Sequence, residues 1–550
     1  MARTPLLRAL RRLARDHAAA EKLGIPVPEL RARREEQTYS RTEFLKRTGA
    51  AGAAVAAAGP LGALTRAAEA ALGGARIAIV GGGIAGLTAA LTLQDKGFAS
   101  TVYEANPSRV GGRMHSDWSD FPDYWADGQT GELCGELIDT GHTTIRRLAK
   151  RFGLPTVDLL EAQPPGSADI AHFFGRYYTM EQADRDFAPV FEAIQRDVKA
   201  AGYPTTFDSS TPAGVALDNL SVYDWIESRV PGGHRSPFGQ LLDVAYLTEY
   251  GAETRQQSSL NLVYLLGYSK RAFSIFGESD ERFHIVGGNA LLPFAIRDEL
   301  VAGQGPGAVR MGWRLRAVAR RSDGTVDLDF ATAGGNQRLN VDHAILCMSF
   351  TVLRSLDYSR AGFDDLKRTA ITKLGSSSNS KLALQFSRRL WNTPGPWGLS
   401  TGGSYADTGY QITYEVSRGQ PGASGILVDY TGGDYAGTLR ASTPYATAAT
   451  PQVAAYARRF LDQLEPVYPG IRALWNGRAT LSNPMTDPNL LLSYCYFKVG
   501  QYHTFGGYER VRQGNIHFAG EHCSTDFQGY MEGGAAEGVR SAEEVLADLK

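Results

Sequence analysis

The sequence predicts an α/β fold, a domain built on a parallel sheet with a second, α+β domain inserted into it. Three observations predict it. An apolar run at residues 75–80 leads straight into a glycine-rich turn and a helix. A second strand, turn and helix of the same kind closes the chain at residues 515–545. The two blocks lie over 400 residues apart in a chain of 550, which is too long for one simple core.

Ala75-Arg76-Ile77-Ala78-Ile79-Val80 is rich in β-branched residues, the pattern of a buried parallel strand. It runs into Gly81-Gly82-Gly83-Ile84-Ala85-Gly86, a GxGxxG. Leu87, Ala90, Leu91 and Leu93 then recur at helical spacing until Lys96-Gly97 stops the helix. A second strand, Ser100 to Glu104, ends 18 residues after Gly86. Each part of such a unit has a job. Gly81 makes the tight turn, Gly83 lets the backbone approach a pyrophosphate, and Gly86 lets helix and strand pack closely. The helix N-terminus offers its free N–H groups to phosphate charge. Glu104 stands where an acid accepts from both ribose hydroxyls. Together these parts define a dinucleotide site.

The residues downstream decide which dinucleotide. Glu104-Ala105-Asn106-Pro107-Ser108-Arg109-Val110-Gly111-Gly112-Arg113 carries the strand into a loop with paired glycines and two arginines. A simple NAD unit gives no reason for that loop, whereas FAD follows a longer path. Here the chain resembles the flavin amine oxidase family, whose FAD domains carry a very similar run. The resemblance implies FAD, with Arg109 and Arg113 on the pyrophosphate and Gly112 in their loop.

The far end agrees. Asn515 to Glu521 reads as a strand ending in a turn, and Gly529-Tyr530-Met531-Glu532-Gly533-Gly534 opens a helix through Ala542 and Val545. Both are similar to elements of the same family. The resemblance implies Gly520 and Glu521 at the ribityl chain, and the amides around Met531 at the flavin N1–C2=O edge. Reduced flavin carries negative charge there, which a helix N-terminus stabilises. Between the ends, Arg282 to Pro293 matches the family's glycine turn, and Asp342 to Cys347 matches its returning strand. In Arg314-Leu315-Arg316-Ala317-Val318, the resemblance implies that the Val318 backbone holds the adenine.

These blocks imply a Rossmann-like FAD-binding domain from residues 74–150, 281–350 and 500–550. Residues 151–280 and 351–499 would form the substrate-binding domain. Its first interval reads as helical at Glu181 to Ala201 and Ser221 to Leu247. Its second alternates as a strand at Lys381 to Phe386 and takes helical spacing at Pro451 to Leu464.

An amine oxidase must hold an amine with its α C–H over flavin N5 and exclude water. The resemblance implies that Tyr494 and Tyr530 form an aromatic pair beside the flavin face, and that Lys381 holds a water near N5. The plainer readings are core packing for Tyr494 and the solvent face of an alternating strand for Lys381. Some family members attach flavin through a cysteine at the position of Ser493, so FAD is expected to bind non-covalently. The family's amino-acid oxidases place a carboxylate-binding arginine in the segment that here reads Cys134 to Asp139. No arginine is present, and Leu137 falls nearest the matching position. Arg282 could substitute. Glu136 and Asp139 could attract a cationic amine or serve structure.

Composition sets the outer limits. The chain carries 57 Lys+Arg against 58 Asp+Glu, which gives no basic excess for nucleic acid. Its 4 cysteines form no CxxC pair, and His284, His503 and His522 lack metal spacing, so no metal is expected. Residues 1–48 carry a net charge of +6. A weakly apolar Ala/Gly run interrupted by Pro60 follows them, ahead of Ala68-Glu69-Ala70. It is too broken for a stable membrane span, and the order is that of an export signal. Ser40-Arg41-Thr42-Glu43-Phe44-Leu45-Lys46 resembles a twin-arginine motif, with Thr42 in place of the second arginine. Residues 1–73 thus read either as a leader, making the protein periplasmic or secreted, or as a surface arm on a cytoplasmic protein.

The resulting expectation is an FAD amine oxidase that takes a C–N bond of a primary or secondary amine to an imine and reduces O2 to H2O2. The alternatives are an L-amino-acid oxidase, or a related dehydrogenase or desaturase with another acceptor. A homodimer is compatible with the sequence.

Overall fold

Ile77–Val80 lies at the centre of a five-stranded parallel sheet. The strand order is Ile516–Phe518, His343–Leu346, Ile77–Val80, Thr101–Glu104, Val309–Met311. Ala78 pairs with Ala344 and Val80 with Leu346. Every residue of Ile77–Val80 is buried, as a strand covered by helices on both faces requires. The computed structural model describes residues 74–267 and 273–549, so the expected leader lies outside the described residues.

Two helices cover this sheet near the glycine turn. Ile84–Asp95 follows the first strand, and Met531–Asp548 closes the chain. They cross closely because the second carries Gly534 and Gly538. A Cβ at Gly538 would lie 2.2 Å from the Ala85 carbonyl oxygen, and one at Gly534 would lie 2.9 Å from Ile84. The motifs at the two ends of the sequence thus meet through backbone contact.

A second, eight-stranded sheet has the order Tyr445–Thr447, Trp475–Ser482, Asn379–Phe386, Gly425–Gly432, Ile412–Glu415, Ser400–Ala406, Ala168–Phe173, Arg176–Thr179. All its pairings are antiparallel except Ser400–Ala406 with Ala168–Phe173. The strand expected at Lys381 to Phe386 is Asn379–Phe386, and all eight residues are buried. Alternation in the sequence therefore does not mean a solvent face here. This strand sits inside the sheet, and Lys381 is only 8% exposed.

The helices Met180–Ala201 and Pro451–Leu464 form as expected. The segment from Ser221 to Leu247 is instead two helices, Val222–Arg229 and Pro237–Tyr250. Pro231-Gly232-Gly233 breaks it, with Gly232 and Gly233 at positive φ. Ser221 and Ser236 then cap the two new N-termini. Among the described residues, no helix is long and apolar enough to cross a membrane.

Candidate active site

The glycine turn has the geometry its sequence requires. Gly81 takes φ 110°, and its N–H donates to the Tyr103 carbonyl at 2.8 Å. A Cβ on Gly86 would stand 2.0 Å from the Gly81 carbonyl oxygen, so only glycine lets the helix begin there. Gly83 bridges to Gly111, and a Cβ on Gly112 would meet the Gly83 Cα at 3.3 Å. The two glycine loops therefore lie backbone to backbone. Glu104 ends the second strand, buried, and accepts from Gly82 N at 2.6 Å and Asn106 N at 2.7 Å. Burial raises its pKa, partly opposed by those two N–H groups.

The N-termini beside this turn have no side-chain cap. Gly83 is the N-cap of the first helix and Tyr530 that of the last, and neither caps by side chain. Elsewhere Thr179, Thr211, Ser221 and Asp364 supply caps. Uncapped first-turn amides are donors suited to an anionic ligand.

Arg113 and Glu521 meet at 2.8 Å, and Arg113 also donates to the Ser493 carbonyl at 3.0 Å. Glu521 further accepts from Gly529 N at 2.9 Å and from the Cys495 thiol. Burial pushes Glu521 upward, but Arg113, His522 and these hydrogen bonds outweigh it and hold the carboxyl below its ordinary range. Gly520, at φ 136°, precedes it. Arg109 turns to the Gly112 carbonyl at 2.8 Å and lies 4.0 Å from Asp487. Met531 begins the last helix, and its side chain lies against Gly135.

The Val318 amide is engaged within the protein. It donates to the Asp357 carbonyl at 2.9 Å, and the Val318 side chain is buried in the small sheet of Arg314–Arg320 with Val326–Thr332. The chain approaches Glu104 earlier, where Trp313 N donates to the Glu104 carbonyl at 2.8 Å. The sequence offered no way to choose among adjacent apolar positions of one strand.

Tyr494 and Tyr530 are linked through Gly529 and through Glu249. The Tyr494 ring lies against Gly529, next to Tyr530. Tyr494 Oη bonds Tyr430 Oη at 2.9 Å and donates to the Glu249 carbonyl at 2.7 Å, and Tyr530 Oη donates to Glu249 Oε1 at 3.0 Å. Burial raises both phenols well above their ordinary value, so they stay neutral donors.

Lys381 is engaged more fully than expected. Its ammonium pairs with Glu136 at 2.8 Å and donates to the Cys134 and Glu132 carbonyls at 2.6 and 3.2 Å. An ammonium has three donors, and all three meet protein acceptors. A buried charge requires this. Glu136 also accepts from Tyr414 Oη at 2.9 Å. Asp139 is held by Ser279 at 2.9 Å and by His142 at 3.2 Å. Leu137, nearest the position of the absent arginine, brings no charge, and Arg282 pairs away with Asp158 at 2.6 Å. The structure adds Tyr414 on Glu136, Tyr430 on Tyr494 and Glu249 on Tyr530, with Glu281 in electrostatic reach of Glu249 and of Arg418. No motif marked them, because they come from separate strands and turns.

Apart from this site, His343, His517 and Asp548 offer ligand atoms within 4.8 Å of one another. Asp548 already pairs with Arg512, and His517 with Glu544 at 3.0 Å.

A parallel sheet with paired glycine loops and uncapped helix N-termini is the arrangement of a dinucleotide-binding domain. The comparisons agree. A profile of the flavin-containing amine oxidoreductase family matches residues 84–546, and the chain belongs to that family. It is 24% identical to an L-amino-acid oxidase of Mus musculus, over 85% of this chain and 70% of that protein. It is also 24% identical to polyamine oxidase 2 of Arabidopsis thaliana, over 85% and 87%. Cyclohexylamine oxidase from Brevibacterium oxydans shares the fold with a TM-score of 0.71 at 20% identity, covering 86% of this chain and 99% of that one. The protein is thus an enzyme with a flavin cofactor.

Proposed function

We propose that the protein is an FAD-dependent amine oxidase that takes a primary or secondary amine to an imine and passes the electrons to O2, releasing H2O2. The observation that carries this reading is that Tyr494 and the Cys134–Glu136 segment held by Lys381 both pack at the start of the last helix, beside Tyr530. FAD supplies the hydride acceptor when bound.

The residues fit that cofactor. Gly81, Gly83, Gly86 and Gly112 give close backbone approach, and Glu104 would receive the ribose. Arg109 and Arg113 would hold the pyrophosphate, and Gly520 and Glu521 the ribityl chain. The uncapped first-turn amides at Met531 would stabilise the negative charge that a reduced flavin develops at its ring edge. Ser493 stands where some family members attach flavin through a cysteine, and Cys495 donates to Glu521, which supports non-covalent attachment.

Tyr494 and Tyr530 orient the amine between their rings and exclude water. Lys381 fixes the Cys134–Glu136 segment against Met531, and holding a water requires it to release one carbonyl. In this reading residues 74–150, 281–350 and 500–550 bind FAD and the remaining intervals bind substrate. Export of the folded enzyme rests on the basic leader, and cell fractionation tests it.

Peroxide release on a panel of amines and L-amino acids tests the function. Peroxide with amines supports it. Release with amino acids alone moves the reading to an L-amino-acid oxidase. Turnover only with an artificial acceptor moves it to a dehydrogenase.

A further inference from the structure

Glu281 is the acid at this site that lacks a partner. Its side chain is half-buried, and the protein packed around it desolvates the carboxyl. Among the described residues its carboxylate has no hydrogen bond or ion pair. Its neighbours are satisfied. Asp139 takes Ser279, His142 and the Glu281 N–H, Glu249 takes the Tyr530 hydroxyl, and Asp169 takes Thr401. Tyr405, Tyr414 and Tyr430 lie within electrostatic reach of Glu281, and Tyr430 bonds the cage residue Tyr494. Among the described residues, the cation that acts on it is Arg418, whose Nε is bound to the Glu415 carbonyl.

A buried carboxylate without a partner is costly, and an arriving cation removes the cost. We propose that Glu281 binds a second positive charge on the substrate, making the donor a diamine or polyamine rather than a monoamine or a neutral amino acid. The inference rests on the amine-oxidase reading. Four acids, Asp139, Asp169, Glu249 and Glu281, act together here against Arg418, and the tyrosine rings add further attraction for a cation. Burial, with Glu249 and Asp139 nearby, pushes Glu281 up to about 8. An ammonium favours its ionised form, so binding near neutral pH expels one proton from the carboxyl to solvent.

The test uses purified holoenzyme under anaerobic conditions. Flavin reduction is followed with a linear diaminoalkane and the n-alkylamine of equal chain length. The wild type is expected to favour the diamine by roughly tenfold or more, the effect of one charge-assisted hydrogen bond. Glu281→Gln is expected to pull that ratio toward one, while Glu281→Asp, which keeps the charge, retains a preference. The flavin spectrum of each variant verifies folding, and the wild-type ratio stands without either variant. A wild type that treats both amines alike, or prefers the monoamine or an amino acid, overturns the proposal. So does a flavin-loaded Glu281→Gln with an unchanged ratio. If no amine reduces the flavin, the amine-oxidase reading itself fails and the subsite falls with it. Equal reduction by both amines removes the subsite alone.

Discussion

At the parallel sheet the candidate ligand groups are uncapped backbone amides, whereas at the eight-stranded sheet they are side chains bonded to one another. The first site is made by what is missing, with glycines at 81, 83, 86 and 112 and no caps on two helices. The second is made by what is present, a chain of polar contacts from Lys381 through Glu136 to Tyr414, and another from Tyr430 through Tyr494 to Glu249 and Tyr530. A backbone site tolerates almost no added atom. A side-chain site can be retuned one residue at a time, which suits it to setting the substrate within a family of several activities.

That difference can be broken at either end. The largest effect is expected from Gly86→Ala, whose Cβ meets the Gly81 carbonyl oxygen at 2.0 Å. The glycine turn cannot hold its shape, and the purified protein should lack flavin absorbance. Lys381→Met comes next. It leaves Glu136 buried without its cation, at about 3–5 kcal/mol of stability. A denaturant titration measures that loss, and unchanged turnover in the variant would favour an acceptor chemistry that does not use this lysine.

Glu281→Gln sharpens the comparison through pH. The folded pKa of Glu281 is raised to about 8, above its unfolded value, by burial and by Glu249 and Asp139. Its contribution to stability is therefore full below the unfolded pKa and lost as pH rises through about 8. The glutamine cannot ionise, so the variant should gain on the wild type between pH 5 and pH 9, read from paired melting curves. The smallest effect is expected from Tyr494→Phe. It removes one hydroxyl from Tyr430 and Glu249 and costs about 1 kcal/mol, with the flavin spectrum retained.

The same contrast explains what could be read from the sequence. Backbone sites leave spacing signals, because a glycine is required at one position and nowhere near it. Gly81 to Glu104 could therefore be placed on strand, turn and helix before any coordinates. Asn379–Phe386 was legible as a strand, but not that both its faces are covered, since its partners are over 30 residues away. The helix break at Pro231-Gly232-Gly233 was written in the sequence and outweighed by the apolar spacing around it. Val318 shows the limit of motif transfer along a strand, where its amide belongs to Asp357. Glu249, Glu281 and Arg418 left no signal, because three separate segments bring them together only in the fold.

The central claim is that a flavin held by backbone lies beside a tyrosine pair that presents an amine to it. Anaerobic mixing of the purified protein with amines, followed by readmission of air, tests it most directly. The account predicts that an amine bleaches the flavin band, and that air restores the band with release of H2O2. A flavin band that no amine bleaches, or a protein purified with no flavin at all, would contradict it.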